Sequence, residues 1–170
     1  LTVVSKIRKR LPGEDIVYFG DTARVPYGTK SRDTVTRFSV ENVEFLIKCD
    51  VKIVVVACNT ASSLSLDFLK KCFKVPIVGV IRPGARKAVA ITRNSRVGVI
   101  GTRATISSGV YQKELRRASP KVVSFGVACP LFVPLVEEGG LDTKITREVA
   151  AHYLSGLKSK GIDTLILGCT

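Results

Sequence analysis

Methionine is absent from this 170-residue chain, and histidine occurs once, at His152. The missing Met, and an opening stretch 1–8 that reads as an amphipathic helix with no strand before it, lead us to expect an internal segment of a longer protein. No pair among the five cysteines, at 49, 58, 72, 129 and 169, has C-x-x-C spacing. With one histidine to add, a structural zinc site of Cys/His type has little support. No apolar run approaches the ~20 residues that span a bilayer, and no signal-peptide pattern opens the chain. The odd cysteine count then points to a reducing compartment. Neither a Pro/Ser-rich linker nor a low-complexity tract is present. Acidic residues are scarce, 14 against 27 Lys and Arg, which leaves a formal charge of +13.

What is present is apolar surface. Hydrophobic residues make up 45% of the chain, enough for a sizeable core and too many for disorder. They fall in alternating strand-like and helix-like stretches. Strands are expected at 15–21, 51–57, 75–81, 96–101, 121–128 and 162–168. Helices are expected at 31–48, 62–73, 84–93, 104–118 and 146–160. Several strand runs are nearly continuous Val, Ile and Leu, as strands covered on both faces require. The alternation implies βαβ units and a mostly parallel sheet, an α/β fold. Arg82-Pro83-Gly84 marks a boundary, because Pro83 disfavours helix at Arg82. It divides the chain into 1–81 and 82–170.

Two cysteines then stand in matching places. Cys58 follows Val54-Val55-Val56-Ala57 and precedes Asn59-Thr60; Cys169 follows Leu165-Ile166-Leu167-Gly168 and precedes Thr170. Both sit at the carboxyl end of an expected strand, where open α/β sheets place ligands. A thiol at the start of a helix lies near positive partial charge, which favours the thiolate. Each could equally be a buried structural cysteine, with Thr60 or Ser62 as a helix cap; the pairing favours function, one thiol in each half. Cys49, Cys72 and Cys129 read as small buried or boundary residues.

Other stretches belong to the same sheet edge. The loop 19–28 carries Asp21, Arg24 and Tyr27, polar groups that a plain connector does not need. In Gly98-Val99-Ile100-Gly101-Thr102 the glycine spacing is not that of a dinucleotide fingerprint. Thr102 and Thr105 can cap a helix or donate to an anion. Residues 82–121 hold ten Lys and Arg against Glu114 alone, a net +9. That run reads as a solvated face first and a nucleic-acid contact second, since no aromatics interleave with it. His152 reads as a helix-surface or packing residue.

Together these motifs resemble the glutamate racemases, cofactor-independent enzymes that interconvert L- and D-glutamate. The resemblance rests on residues 18–31, 54–62 and 165–170, with 98–102 and 129–139 between them, and covers essentially the whole chain. It implies two similar three-layer α/β domains with mostly parallel sheets, related by pseudo-twofold symmetry, with the active site in the cleft between them. It implies that Cys58 and Cys169 are the catalytic acid and base. Tyr27, Gly28, Asn59, Thr60 and Thr170 match positions that hold substrate, Thr102 and Thr105 match carboxylate contacts, and Asp21 and Glu137 match acids that support the cysteines. It further implies glutamate as substrate, no cofactor, no metal, a cytoplasmic homodimer, no membrane or nucleic-acid partner, and D-glutamate supplied for peptidoglycan. The family's opening Asp-Ser-Gly strand and the His after Cys-Thr are not in this sequence, nor is the C-terminal part that completes the first domain, so the segment alone is expected to be inactive.

Two rivals stand beside this reading. An aspartate or related amino-acid racemase of the same superfamily would share both cysteines; the Tyr27 loop favours glutamate, and the residue after Thr170 would separate the two. A basic nucleic-acid-binding module would explain the +9 stretch but not the cysteine motifs.

Overall fold

The structure is a computed structural model and describes residues 2–169. Helix α1 (Thr2–Arg10) leads through an extended stretch and two short 3-10 turns, Thr22–Arg24 and Tyr27–Thr29, into α2 (Arg32–Ile47). Then follow β1 (Val54–Val56), α3 (Asn59–Leu64), α4 (Leu66–Cys72), β2 (Ile77–Gly79) and α5 (Ile81–Ile91). The chain continues with β3 (Arg96–Gly101), α6 (Arg103–Ser107), α7 (Val110–Ala118), β4 (Val123–Ala128), α8 (Phe132–Glu137), α9 (Lys144–Lys158) and β5 (Thr164–Gly168). The strands form a parallel pair β1-β2 and a parallel sheet of order β4-β3-β5. The architecture is α/β with parallel sheets.

The central strand β3 is buried from Val97 to Gly101, which explains its unbroken apolar run. Its alternate residues face opposite ways. Val97 and Val99 join Ala85, Ala88, Tyr111 and Leu115 from α5 and α7 in one cluster. Ile100 joins Leu157 of α9 and Cys129 in another, with Phe132 and Tyr153 packed against it. In the smaller sheet Val54 and Ile77 pack with Val43 of α2 and Leu69 of α4. Leu69 and Leu115 are fully enclosed; truncating either to Ala would cost roughly 2–5 kcal/mol.

The structure corrects several expectations. Residues 15–20 form no strand: Val17 and Tyr18 are about half exposed and no ladder pairs them among the described residues. An apolar run becomes a strand only where a partner edge takes up its N–H and C=O groups. The expected helix 62–73 starts earlier and is two helices, interrupted at Ser65, whose Oγ donates to the Ala61 carbonyl at 2.7 Å and lies 3.0 Å from Ser39 Oγ. The expected helix 104–118 breaks at Gly109, which adopts φ +68°, a region glycine enters without penalty. Helix α5 begins at Ile81 and runs through Arg82 and Pro83. Proline is tolerated there because the first-turn N–H groups lack intrahelical partners, and the burial of Ile81, Ala85 and Ala88 holds the helix on the sheet. Helix α8 (Phe132–Glu137) lies in a stretch whose sequence predicts neither helix nor strand. Cys49 and Cys72 are exposed, and only Cys129 of the three extra cysteines is buried.

Parallel pairing decides what meets at the sheet edge. Gly101 and Gly168 are register partners at the ends of β3 and β5, so Thr102 and Cys169 follow side by side. A Cβ at Gly168 would come within 2.6 Å of the Ile100 carbonyl oxygen, so glycine is required for this close approach.

Candidate active site

Cys58 is the N-cap of α3, in extended backbone, and its Sγ accepts the Ala61 N–H at 3.5 Å. The residue is exposed at the surface, yet its sulfur is tucked against the helix start. Loss of hydration pushes the thiol up; the N–H groups of Ala61 and Thr60 and the Thr60 hydroxyl pull it down, but by less. The helix start therefore moderates a desolvated thiol and does not by itself make a thiolate. Cys169, exposed at the end of β5, is also pushed up, first by burial of its sulfur and second by the negative charge of Cys58. The two sulfurs lie within electrostatic reach of one another, although 111 positions separate them in the chain.

Between the two motifs lies a knot of hydroxyls. Thr60 Oγ1 is 2.9 Å from Thr102 Oγ1 and 3.3 Å from Thr105 Oγ1, and Thr102 and Thr105 are 3.0 Å apart. All three residues are buried. Thr102 also caps α6 by accepting the Thr105 N–H at 3.2 Å. Its capping role and its place in the cluster are thus compatible. Asn59 is buried, and its Oδ1 accepts the Tyr111 hydroxyl at 2.6 Å. Burial pushes Tyr111 up to about 12, so it remains a donor throughout the neutral range. Asn59 keeps its amide N–H groups for another acceptor.

The loop 21–29 forms a second network. The Tyr27 hydroxyl donates to Asp21 and accepts from Asn42 Nδ2 at 3.1 Å. Arg24 Nε donates to Asp21 at 2.9 Å and its guanidinium lies over the Phe38 ring, 4.3 Å from the centroid. Burial raises Asp21, but Arg24, Tyr27 and Asn42 together outweigh it and hold the carboxyl below its ordinary value. Burial and the Asp21 bond both push Tyr27 up, keeping it protonated. Gly28 presses on Thr102, where an added Cβ would lie 2.5 Å from Thr102 Cβ.

Cys58, Asn59, Thr60, Thr102, Thr105 and Cys169, with Tyr27 and Gly28 adjoining, thus come to one edge of the molecule. Other expected residues do not join them. Glu137 ends α8, exposed, and its side chain forms no hydrogen bond or ion pair among the described residues. The bonds of Asp21 run to Tyr27, Arg24 and Asn42 and, among the described residues, to neither cysteine. Thr170 lies outside the described residues. His152 is exposed and rests against Tyr153. Tyr111 and Asn42 are additions: each looks like an ordinary helix residue in sequence, and nothing local signals that its polar tip reaches Asn59 or the Asp21–Tyr27 network. Among the described residues no group of three or more His, Cys, Asp or Glu side chains could hold a metal ion. No helix among them is long and apolar enough to cross a membrane. Two thiols beside amide and hydroxyl donors make an arrangement suited to moving a proton on an anionic molecule.

Comparison with known proteins bears on this arrangement. The family model described as Asp/Glu/Hydantoin racemase matches residues 2–170. The chain is 57% identical over 170 residues to the glutamate racemase of Geobacter metallireducens and 56% identical to that of Aquifex pyrophilus. Both matches take in the whole chain but only 63% and 66% of those relatives, so the chain spans a little under two thirds of their length. A crystal structure of a glutamate racemase isoform from Bacillus anthracis superimposes with a TM-score of 0.95 at 42% identity, over 99% of this chain and 63% of that one. The Francisella tularensis glutamate racemase, solved with D-glutamate, gives 0.91 at 40% identity, over 99% of this chain and 63% of that one.

Proposed function

The chain belongs to the Asp/Glu/Hydantoin racemase family, and from that premise we propose that it forms the catalytic core of a glutamate racemase working with two thiols. The observation that supports the reading is that Thr60, two residues after Cys58, meets Thr102 and Thr105 in one buried hydroxyl cluster at the strand end where parallel register also brings Cys169. On this reading the whole protein is a cytoplasmic homodimer, and residues 1–81 and 82–170 belong to two pseudo-symmetric domains with one thiol on each.

Racemisation takes the α-proton from one face of the substrate and returns a proton to the other. A single base would have to cross the substrate; two groups on opposite faces need not. One must be thiolate while the other is thiol. A free cysteine ionises near ~8.5, and mutual repulsion ensures that the second sulfur ionises later than the first. Cys169 takes the proton of L-glutamate while Cys58 delivers one to the opposite face, and the roles reverse from D-glutamate. The developing carbanion needs donors around the α-carboxylate. Asn59 Nδ2, the hydroxyls of Thr60, Thr102 and Thr105, and Thr170 supply them, with Tyr27 and Gly28 closing one side. Asp21 acts at one remove, by holding Tyr27 in place.

The test uses the intact protein. Cys58→Ala and Cys169→Ala should each lower racemisation, followed by optical rotation, by about 10²–10⁴-fold. In deuterated buffer Cys58→Ala should still exchange the α-proton of L-glutamate, and Cys169→Ala that of D-glutamate. Wild-type racemisation by either variant rejects the two-thiol reading.

A further inference from the structure

A cleft of about 480 Å³ opens beside the Gly28–Thr102 joint, and of the groups assigned to substrate Gly28 alone lines it. Its charged lining is entirely cationic: Lys30, Arg32 and Arg103, with the hydroxyl residues Thr29, Ser107 and Ser108 between them. None of these three cations has an ion-pair partner among the described residues, although the chain forms such pairs elsewhere. Arg32 is not free to swing away, because its Nη1 donates to the Leu64 carbonyl at 2.8 Å. Like charges lining one cleft repel. Such an arrangement is offset most directly by an anion seated among them.

We propose that this cleft binds a small phosphate-bearing molecule. A phosphate monoester carries up to two charges and several strong acceptor oxygens. Guanidinium forks match phosphate geometry, a lysine adds a compact charge, and hydroxyls fill the remaining acceptors. The volume falls within the range of small-molecule sites. Position gives the site a consequence. Lys30 and Arg32 lie on the Cys58 side of the chain, and Arg103 and Ser107 follow Thr102 in α6. An anion held between them bridges the joint where Gly28 meets Thr102 and restrains the parts that carry the two thiols. The proposal rests on charge and shape, and the response to Arg103→Gln and Lys30→Gln separates this cleft from the proposed substrate site.

The experiment is calorimetric titration of the intact protein with inorganic pyrophosphate, inorganic phosphate and the dicarboxylate glutarate. Any glutarate taken up at the proposed substrate site should be indifferent to Arg103→Gln, whereas saturable binding of pyrophosphate or phosphate is expected at this cleft. Arg103→Gln and Lys30→Gln should each weaken it by about tenfold or more, the equivalent of a lost charge-assisted contact. Arg86→Gln, on the exposed face of α5 and away from the cleft, should leave it unchanged. Circular dichroism confirms that each variant is folded. The proposal is overturned if neither phosphate species binds saturably, if Arg103→Gln weakens glutarate binding as much as phosphate binding, or if Arg86→Gln weakens phosphate binding as much as Arg103→Gln.

Discussion

The Cα of Gly28 faces the side chain of Thr102 so closely that an added methyl would lie 2.5 Å from both its Cβ and Cγ2. This contact joins the Tyr27–Thr29 turn to the start of α6, and Thr102 is at once helix cap and member of the buried hydroxyl cluster. Gly28→Ala therefore cannot be absorbed by a side-chain rotation alone. It should cost about 1–3 kcal/mol in urea unfolding and raise KM for glutamate by displacing Thr102. An unchanged midpoint and KM together would show that the joint is slack.

The two thiols give a prediction about pH. Cys169 is raised by its own burial and then by the charge on Cys58. Removing that charge with Cys58→Ala should lower the ionisation midpoint of Cys169, read as the pH dependence of its alkylation rate in the intact protein. The stability effect has a definite sign. A thiol raised in the folded state stabilises fully below its unfolded value, and the contribution is lost as pH rises through the folded value. Stability should thus decline on the alkaline side, and less steeply once Cys58 is gone. A Cys169 midpoint identical in both proteins would contradict the coupling.

Tyr111 and Asn59 form a buried pair, hydroxyl to amide oxygen at 2.6 Å. Tyr111→Phe leaves Asn59 Oδ1 without that donor and should cost about 1–2 kcal/mol in chemical unfolding. Asn59 would lose its fixed orientation, so kcat/KM should fall severalfold even though Tyr111 is not placed on the substrate. Wild-type kinetics in a destabilised Tyr111→Phe would assign the pair to folding alone.

Asp163 ties the turn after α5 to the start of β5. It accepts from Thr92 Oγ1 at 2.5 Å and from the N–H groups of Arg93 and Asn94 at 2.7 and 2.8 Å. The Thr92 bond most of all, helped by the two backbone N–H groups and Thr164, brings its carboxyl from an ordinary 3.8 down to about 2. A lowered carboxyl stabilises above its unfolded value, and that contribution disappears as pH falls through the folded one. Asp163→Asn should reduce stability at neutral pH and flatten its dependence between about pH 4 and 2, as followed by thermal unfolding across that range. Parallel acid limbs in the two proteins would show that other carboxylates carry the transition.

Much of the molecule is legible without coordinates. The stretch 96–101 is the strand expected to the residue, because its apolar run suits only a position covered on both faces. The helix expected at 31–48 is found at Arg32–Ile47, with Ser31 accepting the Thr34 N–H as its cap. The failures have local propensity on their side and lost to context. Residues 15–21 are apolar enough for a strand to be expected, yet no edge among the described residues pairs them. Arg82-Pro83 looks like a helix break, yet a proline in a first turn forfeits no bond.

The residue types and spacings in this chain were sufficient to mark the two cysteine motifs, the Tyr27 loop and Thr102 as candidates, and to place most of them at strand ends, because apolar periodicity and strand–helix alternation are local properties. Which of them meet was decided only by the tertiary structure. Parallel register sets Gly101 beside Gly168, and so Thr102 beside Cys169; Thr60 reaches Thr102 across 42 residues and Tyr111 reaches Asn59 across 52. Contacts at such separations have no periodic signature. They arise when buried polar groups must find partners within a packed core, and the fold as a whole, not any one stretch of sequence, determines which partner is within reach.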